Sequence, residues 1–236
     1  MTSDFPQVNM REWYDSFDSP IGPFDCGELC AIHNPSGKPF CCDICQAVPS
    51  AYHQEWGYLK TNTDLWHPWR GDECAENPED PADLLADTPD TMHLLACLGP
   101  ENCQRPYRSL SCRQFPFFPY ITSDYGFLGL AYNWEFEDTC WVISHLDQVS
   151  TSYHREFIKF YDAFFSTWPH ELDHYAARSE QMRAHFIAQK RSIPILHRDG
   201  GYCLLRPLNE RVRQVDPERL PRYGFFQDAI GDFPPE

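Results

Sequence analysis

An aromatic stripe is the clearest periodic pattern in the chain. Its members recur at spacings of three to four residues and include Val149, Tyr153, Phe157, Phe160, Tyr161, Phe164 and Phe165. Because an α-helix completes a turn in about 3.6 residues, side chains at this spacing share one face. The pattern therefore predicts an amphipathic helix over residues 152–166 whose aromatic face is buried.

A second helix is predicted directly after the first. Pro169 suits the first turn of a helix, where a missing N–H costs nothing, and Glu171 and Asp173 then lie near the positive end of the helix dipole. The apolar positions that follow at helical spacing are Leu172, Tyr175, Ala176, Met182, Phe186 and Ile187. Since the connection is short, the two helices are expected to form an antiparallel hairpin.

Alternation with a period of two precedes the helices. The large side chains at alternate positions are Leu128, Leu130, Tyr132, Trp134 and Phe136. This period is typical of a half-buried strand, and the segment 123–126 before it has the composition of a turn, so a small β-hairpin is predicted. Weaker patterns predict short helices over residues 51–60 and 81–87 and a short strand over residues 202–205.

These elements predict a mainly α fold with a small β-hairpin element. Proline makes up 21 of the 236 residues, against a usual share of about 5%, so the first part of the chain should be rich in loops. A cysteine-rich lobe over residues 20–120 and a lobe over 121–236 with the β-hairpin and the helices are expected. No Gly/Ser-rich or Pro-rich linker separates them, which favours a single domain over residues 1–236. The irregular cysteine lobe would be stapled by metal and packed on the helical hairpin.

The net charge and its distribution bear on which partners the chain can bind. The chain carries 35 acidic and 19 basic side chains, a net charge of −16, and a phosphate backbone would be repelled by it, so no nucleic acid is expected as a partner. Residues 1–104 hold 18 of the acidic side chains and only 4 basic ones. Ten basic residues between 178 and 222 could contact this acidic lobe or an unknown protein partner.

The hydropathy pattern predicts a cytoplasmic protein. No apolar run approaches the roughly 20 residues that a membrane-spanning helix needs. Residues 1–15 contain three acidic side chains and no apolar stretch of the signal-peptide kind. In a reducing compartment, numerous cysteines are better explained as metal ligands than as disulfides.

The cysteines carry the strongest chemical signal. Nine of the eleven lie between residues 26 and 112, in short spacings that can turn neighbouring sulfurs toward one centre. The predicted metal ligands are Cys26, Cys30, Cys41, Cys42, Cys45, Cys97, Cys103 and Cys112. Cys140 and Cys203 are expected to be ordinary buried residues, as is Cys74, although Cys74 is also an alternative ligand. His33 is a further alternative ligand in the first group.

One stretch resembles a known family. Cys97-Leu98 is followed by Cys103, by Tyr107-Arg108, and by the run Cys112-Arg113-Gln114-Phe115-Pro116. This order is similar to the second half of the signature of the YkgJ-type cysteine-cluster proteins, which are described as zinc- or iron-chelating domains and include the flagellin lysine N-methylases. The resemblance covers residues 25–119. Ser109 stands where the family has proline, and an insertion separates Cys30 from Cys41.

The resemblance implies a metal centre held by thiolates, and for the methylase branch an iron–sulfur cluster with methyl transfer to lysine. No glycine-rich loop follows a predicted strand and opens a helix, as nucleotide-type binding would favour. The methyl-transfer activity is therefore not carried over to this chain. From the resemblance we expect an iron–sulfur cluster with a redox or enzyme-supporting role, extending to protein modification. The alternative is a structural zinc module that recruits a partner. Catalytic residues and substrate stay unassigned.

A competing motif lies at the start of the second predicted helix. His170-Glu171-Leu172-Asp173-His174 matches H-E-x-x-H, in which two histidines bind zinc and the glutamate acts as general base of a peptidase. Pro169 before the motif and Asp173 inside it are unlike the usual pattern. The longer form of the motif also fails, because Ala177 and Glu180 occupy its later positions. A solvated first helical turn explains the same residues.

Overall fold

The structure is a computed structural model that describes residues 5–74 and 80–227. The chain divides into two compact units. Unit 1 comprises Met1–Asp18 and Gly27–Phe115, and unit 2 comprises Ser19–Cys26 and Pro116–Glu236. The lobes expected from the sequence meet at residue 120, whereas the structure adds residues 1–18 to the cysteine-rich unit and begins unit 2 mainly at Pro116.

The fold class expected from the sequence is wrong. Helix accounts for 44% and strand for 17% of the structure, and the strands form two antiparallel sheets of three and five strands. The fold is therefore α+β rather than mainly α with one small hairpin. All eight strands of the described residues have six residues or fewer, so an alternating pattern has few positions in which to stand out from loops.

Unit 1 combines short helices with a three-stranded sheet. Its helices are α1 (Met10–Ser16), α2 (Cys26–Ala31, which begins at the last residue of unit 2's N-terminal segment), α3 (His53–Asn62), α4 (Pro81–Asp87) and α5 (Leu110–Gln114). Its strands are β1 (Ser50–Tyr52), β2 (Trp66–Pro68) and β3 (Met92–Cys97). The helix predicted over residues 81–87 is confirmed, with Asp80 as the N-cap that accepts a hydrogen bond from the N–H of Ala82.

Strand β3 is the centre of the unit 1 sheet. The first half of β3 pairs with β1, with Ser50 opposite Leu94, and the second half pairs with β2, with Trp66 opposite Cys97. The predicted helix over 51–60 begins later, at His53, because residues 50–52 are used for pairing with β3. The sheet thereby carries Cys97 at the end of its central strand.

Unit 2 contains the five-stranded sheet and the long helices. Its strands are β4 (Phe117–Ile121), β5 (Phe127–Tyr132), β6 (Ile193–His197), β7 (Tyr202–Arg206) and β8 (Arg211–Val215), and its helices are α6 (Trp141–Ser144), α7 (Thr151–Thr167) and α8 (Glu171–Ala188). The strand order is β4-β5-β6-β7-β8, with every neighbouring pair antiparallel. The predicted hairpin is confirmed as β4 and β5, although Trp134 and Phe136 lie in a 3₁₀ turn beyond the strand.

The strand predicted over residues 202–205 is confirmed as β7, but its neighbours β6 and β8 were not predicted. Pro194 lies inside β6, and a proline argues against a strand because it cannot donate to the ladder. Strand β8 is an edge strand with the polar sequence Arg-Val-Arg-Gln-Val and is almost entirely exposed. Charged side chains are typical of edge strands, but they erase the hydrophobic alternation by which a strand is recognised.

The two helices predicted for unit 2 are confirmed as α7 and α8, while their antiparallel packing stays a prediction. In α7 the buried side chains are Tyr153, Phe157, Phe160, Tyr161 and Phe164. Tyr175 of α8 packs edge-on against Tyr161 with ring centroids 5.4 Å apart, and Trp168 in the connection is fully buried. Such edge-to-face aromatic pairs fill a core at favourable geometry. Among the residues described, no helix combines the length and the apolar character needed to cross a membrane.

Candidate metal centre

Four cysteines of unit 1 come from four separate segments. Cys42 ends a 3₁₀ turn at Phe40–Cys42, Cys97 ends β3, Cys103 follows a 3₁₀ turn at Pro100–Asn102, and Cys112 lies on α5. Their positions span 70 residues of sequence, so only the folding of unit 1 can bring them near one another.

The structure gathers these four sulfurs into one neighbourhood. The Cys97 thiol interacts electrostatically with those of Cys42 and Cys103. The Cys112 thiol interacts with those of Cys42 and Cys97. Each of the four is thereby linked to at least one other, and we call Cys42, Cys97, Cys103 and Cys112 the thiol cluster.

The surroundings of the thiol cluster favour neutral sulfur. Burial raises the pKa of the Cys112 thiol to about 12, with the neighbouring Cys42 and Cys97 adding to the shift, while a hydrogen bond with Ser109 and the charge of Arg108 oppose it. Burial is also the main cause that raises the pKa of Cys97. Several thiols held this close resist ionising together, and a bound cation would relieve that repulsion because metal ligands must be thiolates.

Arg108 contacts the thiol cluster. The Nε–H of Arg108 donates a hydrogen bond to Sγ of Cys103 at a distance of 3.1 Å. Burial lowers the pKa of Arg108, but the hydrogen bond with Cys103 and the fields of Cys103, Cys42 and Cys112 outweigh burial and raise it. The guanidinium of Arg108 therefore lies close enough to Cys103, Cys42 and Cys112 to interact electrostatically with each of their sulfurs.

Arg113 holds the backbone turn that carries Arg108. Its buried guanidinium lies over the ring of Tyr14, 4.3 Å from the centroid, and forms an ion pair with Asp18 at 2.9 Å. It also donates to the backbone carbonyls of Tyr14, Phe17, Arg105, Pro106 and Arg108. The end of α1 and the 105–108 turn are therefore joined through one side chain.

A buried carboxylate shapes the segment that carries Cys41 and Cys42. Asp43 accepts hydrogen bonds from Nδ2 of Asn34 at 3.0 Å, from the hydroxyl of Ser36 at 2.7 Å and from the N–H of Cys45 at 3.1 Å. Burial raises the pKa of Asp43, but these hydrogen bonds outweigh burial and lower it. The sulfurs of Cys41 and Cys42 lie 3.9 Å apart, so Cys41 borders the thiol cluster.

Cys45 departs from the expected ligand set. The structure joins it to Cys74 in a disulfide. A sulfur in a disulfide has no thiolate to offer a metal, so Cys45 is not a ligand in this oxidation state. The prediction of metal ligands rather than disulfides is therefore wrong for Cys45, and Cys74, predicted to be an ordinary cysteine or an alternative ligand, is its disulfide partner. The 29-residue separation of this pair gave no signal for their pairing.

The first predicted pair lies on α2. Cys26 opens the helix in unit 2 and interacts electrostatically with Tyr153. Cys30 is buried, and its Sγ donates to the carbonyl of Gly27 at 3.4 Å. His33 follows α2 with its N–H bonded to the carbonyl of Cys30. As expected, Cys140 and Cys203 are buried, and both lie in unit 2.

The thiol cluster does not yet have ligating geometry. Among residues 5–74 and 80–227, no three Cys, His, Asp or Glu side chains are spaced to hold a metal ion. The chemistry of the donor set nevertheless fits one, because four neighbouring thiols are the donors that zinc and iron–sulfur centres take.

The H-E-x-x-H segment has its own arrangement in unit 2. His170 precedes α8, and Glu171 is buried beneath His170 and His174, which are about half exposed. The Glu171 carboxylate lies 3.3 Å from Nδ1 of His174 and 3.6 Å from Nε2 of His170. Each carboxylate oxygen therefore lies beside a histidine nitrogen. The peptidase alternative stays a prediction.

Arg108 and Arg113 are the site residues that sequence reasoning missed. Both stand in the stretch that carries the family resemblance, between or beside Cys103 and Cys112. An arginine within five residues of a predicted ligand is a usable signal for a charge partner of thiolates. The sequence does not indicate that Arg108 contacts the sulfur of Cys103 whereas Arg113 contacts backbone carbonyl groups. That difference depends on the fold.

Comparison with protein family models, with curated proteins and with solved structures finds no match to this chain. The resemblance to the YkgJ-type proteins accordingly rests on the quoted motif and stays a prediction.

Proposed function

We propose that this chain is a metal–thiolate protein that holds an iron–sulfur cluster through Cys42, Cys97, Cys103 and Cys112. The observation that carries the proposal is the gathering of these four thiols from four segments of unit 1. Iron–sulfur clusters are held by four such sulfurs, and thiolates are the ligands that soft metals select. Cys41 borders the cluster and is the alternative to Cys42.

Ordinary core packing explains these cysteines less well. Buried cysteines do behave as small apolar side chains. However, Cys103 is exposed, and Cys42, Cys97 and Cys112 keep part of their surface accessible, unlike the buried Cys140 and Cys203. A neutral thiol also accepts only a weak hydrogen bond from the guanidinium of Arg108, whereas a thiolate would accept a strong, charge-assisted one.

When bound, such a cluster supplies one-electron redox chemistry. The chain's own residues position the sulfurs: Arg113 fixes the turn before Cys112, and Asp43 fixes the turn after Cys42. Unit 1, which contains this centre, carries 17 acidic and 7 basic residues, and this excess of negative charge would repel anionic partners. A redox or enzyme-supporting role in the cytoplasm, extending to protein modification, is the function we propose.

Structural zinc is the second candidate, because four thiolates also complete a closed tetrahedral zinc site. The proposed surface role in partner recruitment would then replace redox chemistry. Anaerobic purification followed by measurement of iron, acid-labile sulfide, zinc and the visible spectrum separates the two. Iron and sulfide in equal amounts with a brown colour support the first, and stoichiometric zinc in a colourless protein supports the second.

Ligand identity is tested by substitution. Cys97→Ser and Cys112→Ser should each reduce metal content to a small fraction of the wild-type value. The matched control is Cys203→Ala, which alters a buried thiol in unit 2. Full metal occupancy in both cluster variants, or a wild-type protein that binds neither metal, would overturn the proposal.

A further inference from the structure

Cys103 is the weakly held member of the thiol cluster. It is exposed, whereas Cys42, Cys97 and Cys112 are half-buried. It also lies in neither a helix nor a strand, since it follows the 3₁₀ turn at Pro100–Asn102. A ligand in such a position has rotational freedom and contact with water, so it is the point at which a metal centre would be lost first.

Arg108 restrains this sulfur. Its Nε–H donates to Sγ of Cys103 at 3.1 Å. The backbone of Arg108 is itself held at both sides, because its N–H donates to the carbonyl of Arg105 at 3.2 Å and its carbonyl accepts from Nε of Arg113 at 2.9 Å. The guanidinium therefore starts from a fixed point and reaches the sulfur along a defined direction.

Charge gives the same side chain a second effect. Unit 1 contains 17 acidic and 7 basic residues, so added negative charge is unfavourable there. Four thiolates around one divalent cation leave a formal excess of about two negative charges. Arg108 is close enough to Cys103, Cys42 and Cys112 to interact with each of them electrostatically. Its positive charge offsets part of that excess.

We propose that Arg108 is a positioning residue of the metal centre, which holds Cys103 in the ligand set through the hydrogen bond from its Nε–H to Sγ. This inference rests on the function proposed above and names how the exposed side of the same site is controlled. Partners of metal ligands outside the first coordination shell commonly change metal affinity about 10- to 100-fold.

The kind of hydrogen bond distinguishes arginine from lysine. The Nε–H of arginine belongs to a rigid planar group, whereas the lysine ammonium sits on a flexible stem and is strongly hydrated. Arg108→Lys therefore keeps the charge and loses the directed bond, and Arg108→Gln loses both. The two variants separate the contribution of charge from that of geometry.

The test compares the full-length, metal-loaded wild type with Arg108→Gln, Arg108→Lys and Arg70→Gln. Arg70 is an exposed arginine of the same unit, so its variant controls for the loss of one positive charge. The rate of metal transfer to a chelator is measured for each protein. We expect release to be at least about tenfold faster in Arg108→Gln, intermediate in Arg108→Lys and unchanged in Arg70→Gln.

If the metal is an iron–sulfur cluster, its reduction potential should become more negative in Arg108→Gln, since hydrogen bonds to the sulfurs raise the potential.

Urea unfolding of the metal-free proteins tests for a merely structural role. We expect the metal-free Arg108→Gln and wild-type proteins to unfold at the same urea concentration. Equal release rates in the two loaded proteins would overturn this inference and leave the proposed function intact. Faster release accompanied by an equivalent loss of metal-free stability would overturn it as well. A wild type that holds no metal would overturn the proposed function, and this inference with it.

Discussion

The buried carboxylate of Glu55 accepts a hydrogen bond from the hydroxyl of Tyr14 at 2.7 Å. It also accepts from the backbone N–H groups of Leu110 at 2.6 Å and Tyr52 at 3.3 Å. One side chain of α3 thereby joins α1, the end of β1 and the start of α5, the helix that carries Cys112. A carboxylate with no exposed surface at such a junction makes the stability of unit 1 depend on pH.

The free energy of unfolding should fall as the pH rises from about 4.5 to about 7. Burial raises the pKa of Glu55 from 4.5 to about 7, although the hydrogen bonds from Leu110, Tyr14 and Tyr52 oppose the shift. In that range the folded state binds more protons than the unfolded state, so raising the pH favours unfolding. The loss is on the order of 3 kcal/mol.

Urea unfolding of the wild type and of Glu55→Gln across pH 4–8 measures this effect. The glutamine cannot titrate, and contributions from all other groups cancel when the two proteins are subtracted. The difference in their unfolding free energies should therefore change with pH between about 4.5 and about 7 and be flat outside that range. A difference that is constant across the whole range would contradict the prediction.

Arg113→Lys should destabilise unit 1 by about 2–5 kcal/mol. Lysine cannot reproduce the planar fork that reaches the carbonyls of Tyr14, Phe17, Arg105, Pro106 and Arg108. Several buried acceptors would then lose their donor. Chemical denaturation of the metal-free protein gives the measurement.

Arg11→Lys is the matched control for Arg113→Lys. Arg11 forms a highly exposed pair with Asp15 at 3.8 Å, with 78% of the arginine side chain accessible. Exposed pairs of this kind contribute little, so the change should stay within about 0.5 kcal/mol. Similar losses in the two variants would show that Arg113 does not join α1 to the 105–108 turn as described.

Nine cysteines should react with an alkylating reagent in the denatured, metal-free, unreduced protein. The structure has nine cysteines in the thiol state and one disulfide, between Cys45 and Cys74. Intact-mass measurement should show nine labels without reductant and eleven with it, since the chain has 11 cysteines. Peptide mapping of the unreduced protein should find Cys45 and Cys74 in one linked product. Eleven labels without reductant would place Cys45 back among the predicted ligands.

The disulfide should also contribute to the stability of unit 1. It closes a loop over a sequence separation of 29 residues, for which about 2–4 kcal/mol is expected from the restricted unfolded chain. The double variant Cys45→Ser/Cys74→Ser should lose stability by that amount in denaturant. The same measurement on Cys140→Ala controls for loss of a cysteine outside the disulfide, and an equal loss in both proteins would refute the estimate.

Glu137 and Arg191 should be strongly coupled in unit 2. The guanidinium of Arg191 donates to both carboxylate oxygens of Glu137, each at 2.8 Å, and Tyr132 donates to the same carboxylate at 2.8 Å. The Glu137 side chain is about one-tenth exposed. Removing either partner leaves a charged group poorly solvated, so each single variant should cost more than half of the loss in the double variant.

A double-mutant cycle with Glu137→Gln and Arg191→Met measures the coupling. We expect a coupling free energy of about 1–3 kcal/mol. The control cycle uses Asp162 and Arg198, in which one guanidinium nitrogen donates to both carboxylate oxygens and the side chains are 49% and 34% exposed. Solvent screening should keep that coupling below about 1 kcal/mol. Equal couplings in the two cycles would contradict the role assigned to burial.

The sequence predicted the helices and strands whose hydrophobic periodicity, capping residues or turns can be recognised within a few neighbouring residues. Helix α7 is long enough for its aromatic stripe to repeat over four turns, and Asp80-Pro81 marks the start of α4 by capping chemistry that acts within a few residues. The β4–β5 hairpin was found because its turn lies between two apolar strands. The three-stranded sheet was not predicted, because β1 and β2 have only three residues each and form by pairing with β3, which lies farther along the chain.

The same division holds at the candidate site. Composition and spacing are local properties, and they suffice to predict that thiols concentrate in an acidic, proline-rich region. Folding is what brings Cys42, Cys97, Cys103 and Cys112 within electrostatic range of one another and pairs Cys45 with Cys74. It also decided that Arg108 faces sulfur while Arg113 faces backbone carbonyls. These are contacts between residues far apart in the chain, and their geometry exists only after β3, α5 and the turns between them have packed.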